Sequence, residues 1–499
     1  MSLHTRENKV NRRLLVIGLI VLIVASFGTM AAQTTPGEFT IVALPDTQFY
    51  SKSYPQIFAS QTKWIADHAT AMNIQLVLGL GDIVDGGGEI GQWQNADSAI
   101  RNIEYKVPYM LAIGNHDYDR NNPGGRTAST VNFNNFFGPQ RYADRVWYKG
   151  HYPANSNENF YGIFQLGGKE YLVLMLEVFP RDSALSWAAS IIAAHPSDDV
   201  IIVTHSFTYY DNSRMDRCDT NSAATLGAAT DNDGEQIWQK LVSKYSNIVL
   251  VLSGHVVQGD GTGRRSDLGV NGNLVNQILA DYQAYTNGGN GYLRILTVKP
   301  ALNQISVRTY SPYLDKYLTD NHNQFTVPYK NVGLTPALQP ISGKVKNVAD
   351  CKPMSGVSIS FEGGATQTDS SGHFEMNAAG PKRYALTVKR SGYGMAVEPY
   401  VTAIPDQPSP GKIFLSTSGV LQGTVRRNGV TLSNASVSIS GGGLRISRTL
   451  QTDSYGKYRF GWIAVGKYTV TVRAAGLPTA TVTADVSTGN TTVLDVSLP

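Results

Sequence analysis

The stretch Ile74-Gln75-Leu76-Val77-Leu78-Gly79-Leu80-Gly81-Asp82-Ile83-Val84-Asp85 passes directly from an aliphatic run into a polar block opened by glycine. Residues 74–80 are short, apolar and bounded by turn formers, which predicts a buried strand with the aspartates on the loop at its carboxyl end. The same transition recurs where 109–113 runs into Gly114-Asn115-His116-Asp117, and where 248–252 runs into Ser253-Gly254-His255. Open α/β sheets hold ligands in the crevice outside the carboxyl ends of their strands, where separate loops bring distant carboxylates, amides and imidazoles to one point. A fold of this class is expected around these blocks.

Residues 38–330 alternate strand-like and helix-like segments. Strands are expected at 39–44, 74–80, 109–113, 171–176, 200–203, 248–252, 292–298 and 305–310, with helices at 56–72, 92–104, 183–194 and 235–245. In 56–72, Ile57, Trp64, Ile65, Ala69 and Met72 fall close to helical period. A polar stretch over 119–159 interrupts the alternation. It reads as an excursion beside the site, with a small core of its own from Phe133, Phe136 and Phe137.

After Pro336 the chain turns rich in β-branched residues, Gly and Ser, with the short alternating strands of small sandwiches. Residues 341–416 and 419–499 also repeat one another. Thr368-Asp369-Ser370-Ser371-Gly372-His373-Phe374 returns as Thr452-Asp453-Ser454-Tyr455-Gly456-Lys457-Tyr458, and the flanking strand blocks recur in the same order. In each copy Asp and Gly are expected to build a tight hairpin turn, and the aromatic to open the next strand facing the core. These repeats resemble the carboxypeptidase regulatory-like (transthyretin-like) β-sandwich family, whose members are accessory modules.

Composition bounds the rest. A chain of 499 residues suggests about two to four domains. A formal net charge of +4, with no dense Lys/Arg tract beyond the first dozen residues, gives no electrostatic case for nucleic acid, while a phosphorylated substrate needs only local charge. At the N-terminus Lys9, Arg12 and Arg13 precede an apolar run over 14–27 and small residues at Ala31-Ala32. That layout makes 1–32 either a cleaved signal peptide or a signal anchor, so the remainder is expected to be exported, secreted or outward-facing at a membrane. Cys218 and Cys351 are the two cysteines and fall in different expected domains, so unpaired or buried thiols are expected.

The strand-end blocks, taken in order as Asp46-Thr47-Gln48, Gly81-Asp82-Ile83-Val84-Asp85, Gly114-Asn115-His116-Asp117, Thr204-His205 and Gly254-His255, resemble the calcineurin-like metallophosphoesterase family over roughly residues 39–312. The resemblance implies a four-layer α/β/β/α sandwich with two divalent metal ions (Mn, Mg, Fe or Zn) over the strand ends and a metal-activated water attacking phosphorus. It further implies Asp82 as the bridging carboxylate, Asp46 on the first metal, and Asn115, His205 and His255 on the second. His116 would serve the leaving oxygen or the transition state, Asp117 would orient His116, and Asp85 would support the loop. Two cations about 3.5–4 Å apart need such a bridge to hold both ends of an in-line displacement.

Two departures from the family pattern fall on the same metal. Gln48 stands where Asp-x-His would place histidine, and Val257 where Gly-His-x-His would place the second one. Gln48 is then either an oxygen ligand or substrate contact, or a vestigial loop residue. Gln258, Asp260, Asp281 and Gln283 are the candidates to complete an oxygen-rich first position. Arg120, Arg126, Arg141 and Arg145 are candidates to grip phosphate. Tyr50, Tyr118, Tyr209 and Tyr210 border the motif loops as pocket or packing residues.

The expectation is an exported metallophosphoesterase acting on a phosphomonoester or phosphodiester of a small molecule or polymer. Its β-domains would serve as spacers or as contacts to a cell surface or glycan. One alternative is a single-metal member that binds a phosphorylated ligand or glycan without turnover. Another is a surface β-domain protein that uses the α/β region as scaffold.

Overall fold

The computed structural model describes Met1 and residues 36–119, 129–226, 231–394, 400–405, 407, 410–442 and 446–499. The expected signal segment, 1–32, lies outside the described residues apart from Met1, as do Arg120 and Arg126.

The strands of the α/β region are β1 Phe39–Leu44, β2 Ile74–Gly79, β3 Tyr109–Leu111, β4 Tyr148–Tyr152, β5 Asn159–Leu166, β6 Lys169–Leu176, β7 Asp199–Thr204, β8 Ile248–Ser253, β9 Thr262–Leu268, β10 Leu274–Ala280, β11 Leu293–Lys299, β12 Gln304–Ser311, β13 Lys316–Leu318 and β14 Phe325–Pro328. They form two seven-stranded sheets. One runs β13-β12-β11-β1-β2-β3 with β14 beside β12, and the other runs β4-β5-β6-β7-β8-β10-β9.

Alternation along each central strand explains the layers. In β6, Tyr171, Val173 and Met175 join the core between the sheets, while Leu172, Leu174 and Leu176 face the outer helices Asp182–Ala194 and Gly234–Lys240. In β1, Ile41 and Ala43 point between the sheets and Val42 and Leu44 toward helices Pro55–His68 and Ile90–Ile100. Strands covered on both faces carry near-continuous apolar runs. The expected α/β/β/α sandwich is the observed one.

Neighbours β1-β2-β3 are parallel, as are β6-β7-β8-β10. Their carboxyl ends therefore line one rim, with Asp46, Asp82 and Asn115 leaving one sheet and His205, His255 and Asp281 the other.

Several expectations are corrected. Strands β9 and β10 lie in sequence with no expected element. Their polar residues are paired inside the protein, Arg265 and Arg214 on Asp267, and Asn276 between Ser266 Oγ and the Pro328 carbonyl. The 119–159 excursion has no separate core. Phe133 and Phe137 are buried with Trp93 in the outer core of the first sheet, each 6.2 Å from it between ring centroids, and β4 follows within the stretch. The helix expected over 235–245 breaks at Leu241, leaving Gly234–Lys240 and a 3-10 turn, Val242–Lys244. It starts on a reciprocal cap between Asp233 and Gln236.

The cysteines are not free: Cys218 and Cys351 form a disulfide across 133 residues. The loop after β7 and the turn after strand Ala337–Asn347 meet in space, which sequence distance hid.

In the C-terminal third two buried clusters appear, one around Ile341, Val345, Phe374 and Leu415, the other around Leu421, Val437, Tyr458 and Val470. The expected turns are present: Asp369 Oδ1 accepts the amides of Ser371 and His373, and Asp453 Oδ1 those of Tyr455 and Lys457. Strand Gly411–Arg427 pairs with Ala337–Asn347 through its first residues and with Lys457–Ala464 through its later ones. It runs without a break through 416–419, so one strand serves both sandwiches.

Candidate metal centre

The polar rim is built by tight approaches that only glycine allows. A Cβ on Gly81 would sit 2.4 Å from His205 Nδ1, one on Gly114 2.1 Å from Asp82 Oδ1, and one on Gly254 2.1 Å from Asp46 Oδ2. Asp82 and His255 themselves occupy the left-handed region, at φ 48° and 76°. Non-glycine residues held there cost on the order of 1–3 kcal/mol each, a strain that clusters at functional sites.

Hydrogen bonds to carbonyls fix the imidazoles. His205 Nδ1 lies 2.8 Å from the Leu80 carbonyl, which can only accept, so Nδ1 carries the proton. His205 Nε2 then faces Asp82 Oδ2 at 3.2 Å and Asp46 Oδ1 at 3.8 Å. His255 Nε2 donates to the Asn221 carbonyl at 2.8 Å, leaving Nδ1 facing His205 Nε2 at 3.2 Å. Ligand atoms of Asp82, His205 and His255 all lie within 4.8 Å of one another, all on buried residues. That trio could hold a metal ion.

Charge in the metal-free site is arranged around this cluster. Burial works against a charged His205, yet Asp82 and Asp46 outweigh it and push the imidazole up to about 10. Burial, with the neighbouring His205 charge, pushes His255 down to about 4. Burial first, then the Asp281 charge, holds Asp46 well above the usual carboxylate range. Asp82 goes the other way, because His205 and His116 overcome its burial. In the metal-free site, protons therefore sit on His205 and Asp46 beside an ionised Asp82. A divalent cation bound there would compete with protons on these groups, so binding would release protons.

Two more buried oxygens on the motif loops are unpaired. Gln48 Oε1 and Asn115 Oδ1 are buried and have no hydrogen-bond partner among the described residues, while Gln48 Nε2 donates to Asp82 Oδ2 at 3.3 Å. An unmade buried hydrogen bond costs about 1–3 kcal/mol, so these two oxygens beside the trio are free to accept a ligand. Of the four candidates to complete the first position, Asp281 is the one brought in. It follows β10 directly, is fully buried, and its charge raises Asp46. Gln283 supports it, donating its amide N–H at 3.0 Å and Nε2 at 3.1 Å. Asp260 turns away to Thr262 and His322, and Gln258 gives its carbonyl to the Gly261 amide.

The two aspartates beside His116 exchange their expected parts. Asp117 Oδ1 accepts the Val84 amide at 3.0 Å and Oδ2 the Gly114 amide at 2.8 Å, which ties two motif loops together. The orienting contact comes from Asp85, whose carbonyl takes His116 Nδ1–H at 2.9 Å and whose Oδ1 lies 3.5 Å from the same nitrogen. His116 Nε2 is left facing Asp82 Oδ2 at 3.9 Å, and its backbone N–H donates to Asp82 Oδ1.

The phosphate-gripping role expected of Arg141 and Arg145 is not supported. Arg141 is held by Asp97, Glu104 and the Tyr109 hydroxyl, and Arg145 by Glu104 and Asp144. Tyr50 is a packing residue whose hydroxyl accepts the Gly291 amide; Tyr118 and Tyr209 are buried, and Tyr210 is exposed. Sequence reading missed the carbonyls of Leu80 and Asn221, since a backbone acceptor leaves no mark on residue type.

With this geometry in place, residues 39–259 match the family model for calcineurin-like phosphoesterases. They form a calcineurin-like phosphoesterase domain. Residues 420–499 match the carboxypeptidase regulatory-like domain. The chain is 32% identical over 319 residues to the uncharacterized protein YvnB of Bacillus subtilis (strain 168), covering 61% of this chain and 22% of that protein. It is 26% identical over 191 residues to a nucleotide pyrophosphatase/phosphodiesterase of Hordeum vulgare, covering 37% and 48%. The chain thus spans about a fifth and about a half of these curated relatives' lengths. Among solved structures, purple acid phosphatase PPD1 from yellow lupin (Lupinus luteus) seeds aligns at 16% identity with a TM-score of 0.38, over 59% of this chain and 55% of that one.

Proposed function

We propose that this chain is an exported, metal-dependent phosphoesterase that hydrolyses a phosphomonoester or phosphodiester. The observation that carries the reading is the convergence on Asp82. His205 Nε2 lies 3.2 Å from Asp82 Oδ2 with His255 Nδ1 3.2 Å beyond it, and Gln48, whose Oε1 is unpartnered, meets the same carboxylate while Asp46 and Asp281 add buried oxygens nearby.

In this reading Asp82 would serve two cation positions. Asn115, His205 and His255 would hold a nitrogen-containing one, and Asp46, Gln48 and Asp281 would hold an oxygen-rich one suited to hard cations such as Mn²⁺ or Mg²⁺. Divalent cations bound there supply Lewis acidity toward a phosphoryl oxygen and toward water. The chain's own contribution to proton movement is His116. Its Nδ1–H is fixed on the Asp85 carbonyl, so Nε2 is the atom that exchanges a proton with the leaving oxygen. Asp281 supplies an oxygen where the family pattern loses its imidazole at Val257, which favours turnover over a binding-only, single-metal role.

Export belongs to the same proposal. It is supported by the N-terminal charge and apolar pattern and by the Cys218–Cys351 disulfide, which suits an oxidising compartment. So does the division into a leader (1–32), a catalytic domain (38–330) and two β-domains (341–416 and 419–499). A contact to a cell surface or glycan through the β-domains belongs to the same proposal.

Bound metal per chain, measured alongside hydrolysis of paired aryl phosphomonoester and diester substrates, tests the reading in wild type and Asp82→Ala. Two metals with activity lost in the variant are expected. One metal and no turnover on either ester with added Mn²⁺ or Mg²⁺ would refute it in favour of binding alone.

A further inference from the structure

The loop after β7 runs from His205 to a turn at 216–221 that carries no strand or helix of its own. Local bonds shape this turn: Asp216 Oδ1 accepts the Cys218 amide at 2.7 Å, and Asp219 Oδ2 the Asp216 amide at 2.9 Å. Its anchors come from the first β-sandwich. Cys351, on the turn after strand Ala337–Asn347, is bonded to Cys218. Lys412, second residue of strand Gly411–Arg427, places Nζ 2.9 Å from Asp216 Oδ2 and 2.5 Å from Asp219 Oδ2, and all three side chains are at most 7% exposed.

That turn ends at the metal centre. Asn221, two residues after Asp219 and in the left-handed region at φ 61°, presents its carbonyl to His255 Nε2 at 2.8 Å. This bond selects Nδ1 as the nitrogen that His255 offers beside His205. Acceptors of this kind fix the tautomer and orientation of a metal-binding histidine.

We propose that the first β-sandwich is a working part of the metal centre, with Lys412 and the Cys218–Cys351 bond as positioning groups that hold the Asn221 carbonyl against His255. The physical reason is buried charge. Without Lys412, Asp216 and Asp219 face one another with only the more exposed Lys346, 4.0 Å from Asp219 Oδ1, as countercharge, and removal of one partner from a buried charge cluster is strongly destabilising. The turn is then held only by its local bonds, the Asp219 amide on the Asp216 carbonyl at 3.0 Å and the Ser222 amide on the Asp219 carbonyl at 3.4 Å, and by Thr220 on Tyr209, and the repelling carboxylates strain it beside Asn221. The inference rests on the reading of His255 as a metal ligand.

Mn²⁺ titration of the full chain, followed by the electron paramagnetic resonance signal of free Mn²⁺, tests it in wild type, Lys412→Met, Lys412→Arg, Cys218→Ser/Cys351→Ser and His255→Ala. Lys412→Met and the double serine variant should each weaken the histidine-containing site by about 10–100-fold, the usual effect of losing such outer support. Lys412→Arg should recover most of the affinity, since a guanidinium still meets both carboxylates. ¹⁵N spectra of histidine-labelled, metal-free protein give an independent readout: His255 should hold its Nε2–H form in wild type and lose that preference in Lys412→Met. Wild-type Mn²⁺ affinity and tautomer in both weakened variants would overturn the proposal. If Lys412→Met does not fold, as judged by circular dichroism, the double serine variant decides alone, because it leaves the buried charges intact. Equal Mn²⁺ binding by His255→Ala and wild type would instead strike the metal-ligand reading itself.

Discussion

Asp281→Asn separates the cost of a buried carboxylate from its use. In the metal-free protein burial, opposed by the hydrogen bonds from Gln283, raises Asp281 from 3.8 to about 6. A folded value above the unfolded one means that the stability contribution is fully present below pH 3.8 and lost as pH rises through 6. At about 1.4 kcal/mol per pH unit, ionised Asp281 costs the metal-free fold about 3 kcal/mol at pH 7.5 and about 1 kcal/mol at pH 4.5. Asn keeps one acceptor for the Gln283 amide and loses the bond to Gln283 Nε2, worth about 1 kcal/mol. In EDTA the variant should therefore be more stable than wild type by about 2 kcal/mol at pH 7.5 and nearly equal to it at pH 4.5, by urea denaturation. Free Mn²⁺ at about 1,000 times Kd stabilises wild type by about 4 kcal/mol, and a variant with about 100-fold weaker binding gains only about 1.4, so the order reverses. A variant less stable than wild type in EDTA at pH 7.5, or one stabilised equally by Mn²⁺, would refute the placement of Asp281 at the first metal position.

Two further changes address neighbouring roles. His116→Ala should lower kcat on the accepted aryl ester by about 100-fold or more while Mn²⁺ per chain stays as in wild type; a lost metal would make His116 a ligand instead. Gln48→His should tighten binding at the position beside Asp46 by about 10-fold, since imidazole binds first-row metals more strongly than an amide oxygen, and unchanged affinity would reject Gln48 as a ligand.

The sandwich was legible because its signals are local. Central strands such as β1, β2, β7 and β8 are covered on both faces and announce themselves as apolar runs that stop at polar blocks. Strand β9 failed that test for a physical reason. Thr262-Gly263-Arg264-Arg265-Ser266-Asp267-Leu268 looks like a surface loop, and its burial is tolerated because Arg265 and Arg214 meet Asp267 while the β-sandwich covers its edge. Such pairing depends on partners distant in sequence. The parts of Asp85 and Asp117 escaped for a related reason: both are carboxylates beside His116, and only the fold shows that one serves amides and the other the imidazole.

The same limit bears on the C-terminal modules. By repeat and composition alone they are accessory, which would make loss of residues 341–499 neutral for chemistry. The geometry argues against that for the first of them. Its loss would leave Cys218 without Cys351 and Asp216 and Asp219 without Lys412, and would uncover β9 where Arg265 donates to the Pro410 carbonyl and Leu268 to Thr402 Oγ1. Among the described residues the second sandwich makes no such bond to the site's loops, but it shares strand Gly411–Arg427, so the strand that positions Lys412 is also held by pairing with Lys457–Ala464. Support for His255 therefore begins more than 150 residues away in sequence, in a strand whose register two β-domains fix together.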